Sequence, residues 1–387
     1  MIPYARQTIN QADIDAVVKV LQADFLTQGP VVPLFEQAVA DYCGAQYAVA
    51  VNSATSALHI ACLALGVGKG DVVWTTPITF VASANCALYC GATVDFVDID
   101  TRTYNLSVAC LAEKLAKAEV LGTLPKVVIA VHLCGQSCDM AGISALSQQY
   151  GFTIIEDASH AIGGKYKNEP IGNGRYSQIT IFSFHPVKII TTGEGGMAVT
   201  NDPALAKQLR LLRSHGISSA AADMLARPLD EIWNYQQIAL GFNYRMTELQ
   251  AALGLSQMTR LSAFVETRHR IAQRYNTELQ GLPLQTPWQQ EDTYSAYHLY
   301  PIRIKPSAGS ATQRQVYEAL QGAGINVNLH YIPVYRQPYY EAMGFSRGYC
   351  PEAEQYYHEV ISIPMYPALT DEQNDQVVGV IRKVISA

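Results

Sequence analysis

Lys126-Val-Val-Ile-Ala-Val131, the helical stretch Met140–Tyr150 and Phe152-Thr-Ile-Ile155 follow one another as strand, helix and strand. The two strand runs are mostly apolar instead of strictly alternating, which marks strands covered on both faces, and a helix between them makes a parallel crossover. The same alternation extends outward. Upstream lie Ala48-Val-Ala-Val51, Asp71-Val-Val-Trp74 and Thr93-Val-Asp-Phe-Val97, with helical stretches over 54–65, 79–89 and 108–118. Downstream lie Gln178-Ile-Thr-Ile-Phe-Ser183 and Gly196-Met-Ala-Val-Thr200. Together these runs predict an α/β fold with one large mixed sheet of seven strands, mainly parallel, and helices on its faces. Ligands in such folds collect at the carboxyl ends of the strands.

Beyond Asn243 the pattern changes. Thr247-Glu-Leu-Gln250 fits a capping box and predicts a long helix running to Leu279, stopped by Gly281. A strand is expected over 297–304, a helix capped by Thr312 with Gln315, a strand over 326–332, and a last helix opened by Thr370 with Gln373. This is a smaller α+β domain. The expected division is a large domain over 1–246 and a linking helix with the small domain over 247–387. No polar or glycine-rich linker separates them, so they should pack as one unit around a cleft.

Composition narrows the function classes. Of the 387 residues 49% are hydrophobic and 16% charged, enough apolar material for a large core and a subunit interface. A net charge of −6 and the lack of a basic run argue against nucleic acid as a partner. The eight cysteines lack zinc-finger spacing and lie mostly in small, apolar surroundings, as in Ala84-Asn-Cys-Ala-Leu88. That favours reduced buried thiols, no metal and a cytoplasmic location. Asp13, Asp15 and Lys19 interrupt the first residues as an export signal, and no later run is long and apolar enough to span a membrane.

Several residues have the chemistry of a site, each with an ordinary structural alternative. Lys188 stands in Ser183-Phe-His-Pro-Val-Lys-Ile-Ile-Thr-Thr-Gly-Glu-Gly-Gly196. Desolvation by Val187, Ile189 and Ile190 would lower its pKa and make the amine a nucleophile for an aldehyde, unless it is a solvated surface lysine. Asp157, after the strand run 152–155, either caps a helix or pairs with a pyridinium nitrogen. Asn52-Ser-Ala-Thr-Ser-Ala-Leu58 opens a helix directly after a strand. It is either a plain cap by Ser53 or a phosphate site. Phe80 either fills the core or lies on an aromatic cofactor, and Ser183 either bonds backbone or donates to a phosphate. No Walker motif or dinucleotide fingerprint follows the first strand.

In this order, Asn52–Leu58, Glu156-Asp-Ala-Ser-His-Ala161, Ser183–Lys188 with Gly193-Glu-Gly-Gly196, and Gly241-Phe-Asn-Tyr-Arg-Met-Thr-Glu248 resemble the DegT/DnrJ-type nucleotide-sugar aminotransferases over nearly the whole chain. The resemblance implies an aspartate-aminotransferase-like, fold type I large domain that uses pyridoxal 5'-phosphate (PLP). Lys188 would hold PLP as a Schiff base, Asp157 would face the pyridine nitrogen, and His160 would lie near the ring oxygen. Phe80 would stack on the ring, and Ala54, Thr55 and Ser183 would hold the phosphate. Asn243 would reach that phosphate from the neighbouring subunit of a homodimer with composite sites. For the sugar nucleotide the family pattern points to Tyr4, to Leu26, Thr27, Gln28 and Gly29, and to Asn328, Leu329, His330 and Tyr331 with Tyr340.

Within the family, Ile2-Pro-Tyr-Ala-Arg-Gln7, Phe25-Leu-Thr-Gln-Gly-Pro30 and Val327-Asn-Leu-His-Tyr-Ile-Pro333 are similar to members that aminate the C4 ketone of a UDP-linked 4-keto-6-deoxy amino sugar with L-glutamate. Lys188 would act twice, removing a proton from the donor carbon and returning one to the sugar carbon. Family members that dehydrate sugars carry His at the lysine position, so Lys188 favours amination. Arg245 and His215 are candidates for a carboxylate or diphosphate, with a surface or interface salt bridge as the alternative for each. A non-catalytic PLP-binding regulator is the competing class. It would need an output module, and no helix-turn-helix or basic extension is visible.

Overall fold

The seven strand runs of the first half form seven strands of one sheet. The computed structural model describes residues 1–226, 231–305 and 311–385. The strands are β1 (Tyr47–Val51), β2 (Val72–Thr75), β3 (Thr93–Phe96), β4 (Val127–Val131), β5 (Thr153–Asp157), β6 (Ile179–Ser183) and β7 (Gly196–Thr200), in spatial order β1-β7-β6-β5-β4-β2-β3. β7 is antiparallel to both its neighbours, and every other pairing is parallel. The other six strands therefore end at one edge, the edge where β7 begins.

Side-chain alternation distributes the strands between two apolar layers. In β4, Val127, Ile129 and Val131 join a core that includes helices α3 (Ala54–Ala64) and α4 (Ala82–Tyr89), while Val128 and Ala130 join one with α5 (Val108–Leu121) and α6 (Met140–Tyr150). On the second face, Ala48 and Ala50 of β1 pack with α2 (Val31–Cys43), α8 (Glu248–Met258) and α9 (Leu261–Glu278). Before α2 lies α1 (Gln11–Leu21), closed by a reciprocal Asn10/Asp13 capping box; between β7 and α8 lies α7 (Pro203–Arg213). No helix among the described residues is long and apolar enough to cross a membrane.

The later elements depart from expectation in three places. Thr247 and Gln250 do form the capping box, but the helix over 248–279 is two helices, broken at Thr259 and Arg260. Thr259 Oγ1 donates to the Ser256 carbonyl at 2.7 Å, and Arg260 turns to pair with the buried Asp13 of α1. Both bonds compete with helix continuation. The strand expected over 297–304 starts only at Tyr300: β9 (Tyr300–Ile304) pairs with β8 (Leu284–Gln285) and β10 (Val360–Ile363). No strand forms over 326–332. Asn328 makes one bridge to Ser362, and its own Oδ1 accepts from Leu329 N at 2.8 Å, taking a ladder donor. The caps by Thr312 with Gln315 and Thr370 with Gln373 both form. Ile2 pairs with Ile325 and packs in the core of the C-terminal elements, which carries Tyr4 toward the cleft.

Candidate active site

The common edge of the parallel strands opens into a cavity of about 650 Å³. Its wall combines strand ends and loops: Asp157 at the end of β5, Ser183 at the end of β6, Ser53 to Thr55 at the start of α3, and Phe80 before α4. The second wall is Tyr4 with Asn328 to Ile332 and Gln337.

Lys188 sits in the β6–β7 connection, in a turn where its amide donates to the His185 carbonyl at 2.9 Å. Thr192 N and Thr191 Oγ1 both donate to the Phe184 carbonyl, at 3.0 Å each, and Ile189 and Ile190 are buried beneath. These two isoleucines anchor the turn in the core; Val187, which lines the cavity, is the neighbour that faces the amine's surroundings. Lys188 is half-buried and lines the cavity. Desolvation drives its pKa down to about 8, against the pull of the Asp157 carboxylate. At neutral pH a usable fraction is neutral amine, the form that attacks an aldehyde.

Asp157 is 5% exposed and accepts three hydrogen bonds: from Ser83 Oγ at 2.6 Å on Oδ2, and from Ser159 N at 3.1 Å and Oγ at 2.6 Å on Oδ1. Ser83 and Ser159 are partners that the sequence reading missed. Ser159 had a local signal, an Asp followed two residues later by Ser, the spacing of an Asx turn. Ser83 ends the stretch that contains Phe80, but nothing in one sequence points it at a strand end 74 residues on.

The helix N-terminus supports both readings of Ser53. Its Oγ caps α3 by accepting from Ser56 N at 3.1 Å, and the amides of the first turn remain beside the cavity. Gly196 makes this possible, because a Cβ there would lie 2.5 Å from Ala54 N and Ser53 C. The reversed strand β7 thus runs against the helix start at a separation only glycine permits. Phe80 is 59% exposed, which rules out the core alternative and leaves its ring at the cavity mouth, with its centroid 6.5 Å from that of Tyr331.

His160 is buried in the cavity wall. Its Nδ1 accepts from Cys134 N at 3.3 Å, so in the neutral imidazole the proton is on Nε2, which faces Tyr331 Oη at 3.3 Å. Burial and the Lys188 charge hold His160 well below the usual histidine range. His330 is lowered to about 3 by the same two causes; its Nδ1 lies 2.9 Å from Ser362 Oγ. His298, inside the run expected as strand, and Gln337, which carries no sequence signal, also line the cavity.

Eight residues named from sequence lie elsewhere in this chain. Leu26 to Gly29 and Asn243 are outside the cavity of their own chain. The first segment is pinned by Glu248, whose amide donates to Leu26 O at 2.9 Å and whose carboxylate accepts from Val31 N and Val32 N at 2.6 and 3.2 Å. Thr27 bridges Thr247, so this segment and the Asn243 segment share one exposed region. Tyr340 is in the core, 2% exposed, with its hydroxyl donating to Asn85 Oδ1 at 2.5 Å; the sugar contact expected of it has no counterpart in this geometry. Arg245 and His215 also lie outside the cavity, Arg245 bridging Val51 through its backbone.

The residues present suit PLP. An amine with lowered pKa for the aldehyde, a buried acceptor carboxylate for the ring nitrogen, and a glycine-cleared helix N-terminus with Thr55 and Ser183 hydroxyls for the phosphate stand around one cavity.

Comparison with known proteins agrees. The DegT/DnrJ/EryC1/StrS aminotransferase family matches residues 7–382. The chain is 38% identical over 387 residues to the spore coat polysaccharide biosynthesis protein SpsC of Bacillus subtilis, covering 99% of this chain and 97% of that one. It is 37% identical over 367 residues to the UDP-4-amino-4,6-dideoxy-N-acetyl-β-L-altrosamine transaminase of Campylobacter jejuni, covering 95% and 93%. Among solved structures, the Helicobacter pylori aminotransferase PseC, involved in the biosynthesis of pseudaminic acid, superposes with a TM-score of 0.88 at 30% identity, over 99% of this chain and 98% of that one.

Proposed function

Because the chain belongs to the DegT/DnrJ/EryC1/StrS aminotransferase family and is a PLP-dependent sugar aminotransferase, we propose that it transfers the amino group of L-glutamate to the C4 ketone of a UDP-linked 4-keto-6-deoxy-N-acetylhexosamine. The products would be UDP-4-amino-4,6-dideoxy-N-acetyl-β-L-altrosamine and 2-oxoglutarate, the aminating step of pseudaminic acid synthesis. The observation that carries the reading is Lys188, a half-buried amine lowered to about 8 that shares its cavity with Asp157. The names of the Campylobacter jejuni and Helicobacter pylori proteins support the sugar.

PLP supplies the electron sink that makes the substrate carbon acidic. The chain's own groups do the rest. Lys188 Nζ binds the aldehyde, then as free amine takes a proton from the glutamate carbon and returns one to C4 of the sugar. Asp157, fixed by Ser83 and Ser159, accepts from the ring nitrogen. The α3 amides with Thr55 and Ser183 hold the phosphate, Phe80 covers a ring face, and His160 Nε2 donates toward the ring oxygen. Tyr4 and Asn328 to Tyr331 contact the sugar nucleotide.

The assembly proposed is a homodimer. Ile14, Val18 and Leu21 expose a stripe along α1, and Phe25, Leu26 and Leu34 are exposed in the segments that follow, apolar surface that a second copy would cover. Leu26 to Gly29 and Asn243 would then complete the partner's site. The same reading separates a PLP-holding unit, 1–246, from a linking helix and small unit, 247–387. The eight unpaired cysteines support a cytoplasmic location. The test incubates holoenzyme and L-glutamate with a panel of UDP- and dTDP-linked 4-keto sugars and identifies the product by mass and NMR. Amination of the UDP-linked 4-keto-6-deoxy sugar is expected; no product from any 4-keto-6-deoxy hexose would contradict the substrate class.

A further inference from the structure

His298 lines the cavity, 2% exposed, and its Nδ1 has no hydrogen-bond partner among the described residues. Three features force its imidazole into this place. Tyr297 has a left-handed backbone, φ +45, a strained conformation for a non-glycine residue that turns the chain just before β9. Arg268, 1% exposed, holds that turn by donating from Nη1 to the carbonyls of Tyr297, His298 and Met365 at 3.1, 3.2 and 2.9 Å. Gly135, φ +107, lets the loop after β4 close on it, since a Cβ there would lie 2.8 Å from Tyr297 N and 3.1 Å from His298 N and His160 O. As a result the rings of His298 and His160 pack with centroids 4.4 Å apart.

The packing matters for the proton on His160. With Nδ1 occupied by the Cys134 amide, a second proton on that ring would break a buried hydrogen bond, and His298 covers the ring where water would otherwise stabilise the cation. The other titratable groups facing the pair are Lys188, His330, Arg268, Cys134 and Tyr331. Burial and the cationic neighbours push both imidazoles well below the ordinary histidine range. We propose that His298 is a positioning residue of the cofactor site: locked by Arg268 and Gly135, it packs on His160 and holds that imidazole neutral, with its Nε2 proton directed at Tyr331 Oη on the cavity wall. That this proton serves PLP rests on the function proposed above; the device itself does not.

The test is histidine NMR of the apo protein with ¹⁵N-labelled histidine, the His160 signals identified by their loss in His160→Gln. In the wild type His160 should stay neutral and Nε2-protonated between about pH 5 and 8. In His298→Ala it should titrate within that range, and in His298→Phe, which restores a dry ring, it should again stay neutral. His298→Asn, smaller and polar, gives the same reading as alanine if the alanine variant does not fold. The PLP dissociation constant should rise about tenfold in the alanine variant and recover to within about threefold in phenylalanine. A His160 that stays neutral in both small variants, or that titrates in His298→Phe as it does in alanine, overturns the proposal. The spectra need no cofactor, so they judge His298 even in a protein that fails to bind PLP, a failure that would instead count against the cofactor reading.

Discussion

Asp157 and Ser183 end adjacent strands of one parallel ladder, whereas Asn328 to Tyr331 hang from a single bridge to Ser362. The first wall of the cavity takes its positions from the sheet: Asp157 and Ser183 stand where strands stop, Ser53 to Thr55 where a helix starts, and Lys188 in the turn that joins β6 to β7. The second wall is irregular backbone tied by side chains, such as Tyr356 Oη to His330 O at 3.1 Å and His330 Nδ1 to Ser362 Oγ. The difference separates two tasks. A ladder suits chemistry that must not move; under the proposed function the loop wall is the one that meets the sugar nucleotide.

The largest effect is expected at Lys188. Lys188→Ala should lower the glutamate half-reaction by about 10³-fold or more, because it removes the proton carrier as well as the anchor. In the apo protein, labelling of Lys188 by an amine reagent should rise with pH around a midpoint of about 8, since only the neutral amine reacts. A midpoint near that of a free lysine would remove the desolvation argument. Next is Gly196→Ala, which drives a Cβ into the start of α3 and should weaken PLP binding about tenfold with the remaining fold intact, measured by cofactor titration and circular dichroism.

On the loop wall, Asn328→Ala should raise KM for the sugar nucleotide about tenfold while leaving the glutamate half-reaction unchanged, the signature of uniform binding. Equal loss in both half-reactions would mean that the two walls are not separable. The smallest effect is expected for Tyr340→Phe. Its hydroxyl bonds Asn85 in the core, so denaturant unfolding should show a loss of about 1 kcal/mol with KM unaltered.

Legibility in the sequence follows the same division. Strands and helices were readable because burial on both faces leaves apolar runs, and caps such as Thr247 with Gln250 are local. Asp157 and Ser183 stood out at the ends of readable strands and Lys188 in an apolar run before a glycine-rich turn, and the structure places all three on one cavity. The break at Thr259 and Arg260 was not readable, since Arg260 answers to Asp13, 247 residues away. The run 326–332 has the composition of a strand, and only the Asn328 side chain bonding the next amide betrays that it is none. His298 falls in a run with strand composition, and the left-handed turn at Tyr297 that keeps it out of β9 is held by Arg268 of α9, 29 residues away. Tyr340 is the opposite case, a tyrosine assigned to the ligand by the family resemblance that folding places in the core.

The most direct test of the account is the visible absorbance of purified protein carrying PLP, followed as L-glutamate and then the UDP-linked 4-keto-6-deoxy sugar are added. Glutamate should abolish the band and the sugar restore it, and Lys188→Ala should do neither. A band that persists in wild-type protein under excess glutamate would contradict it.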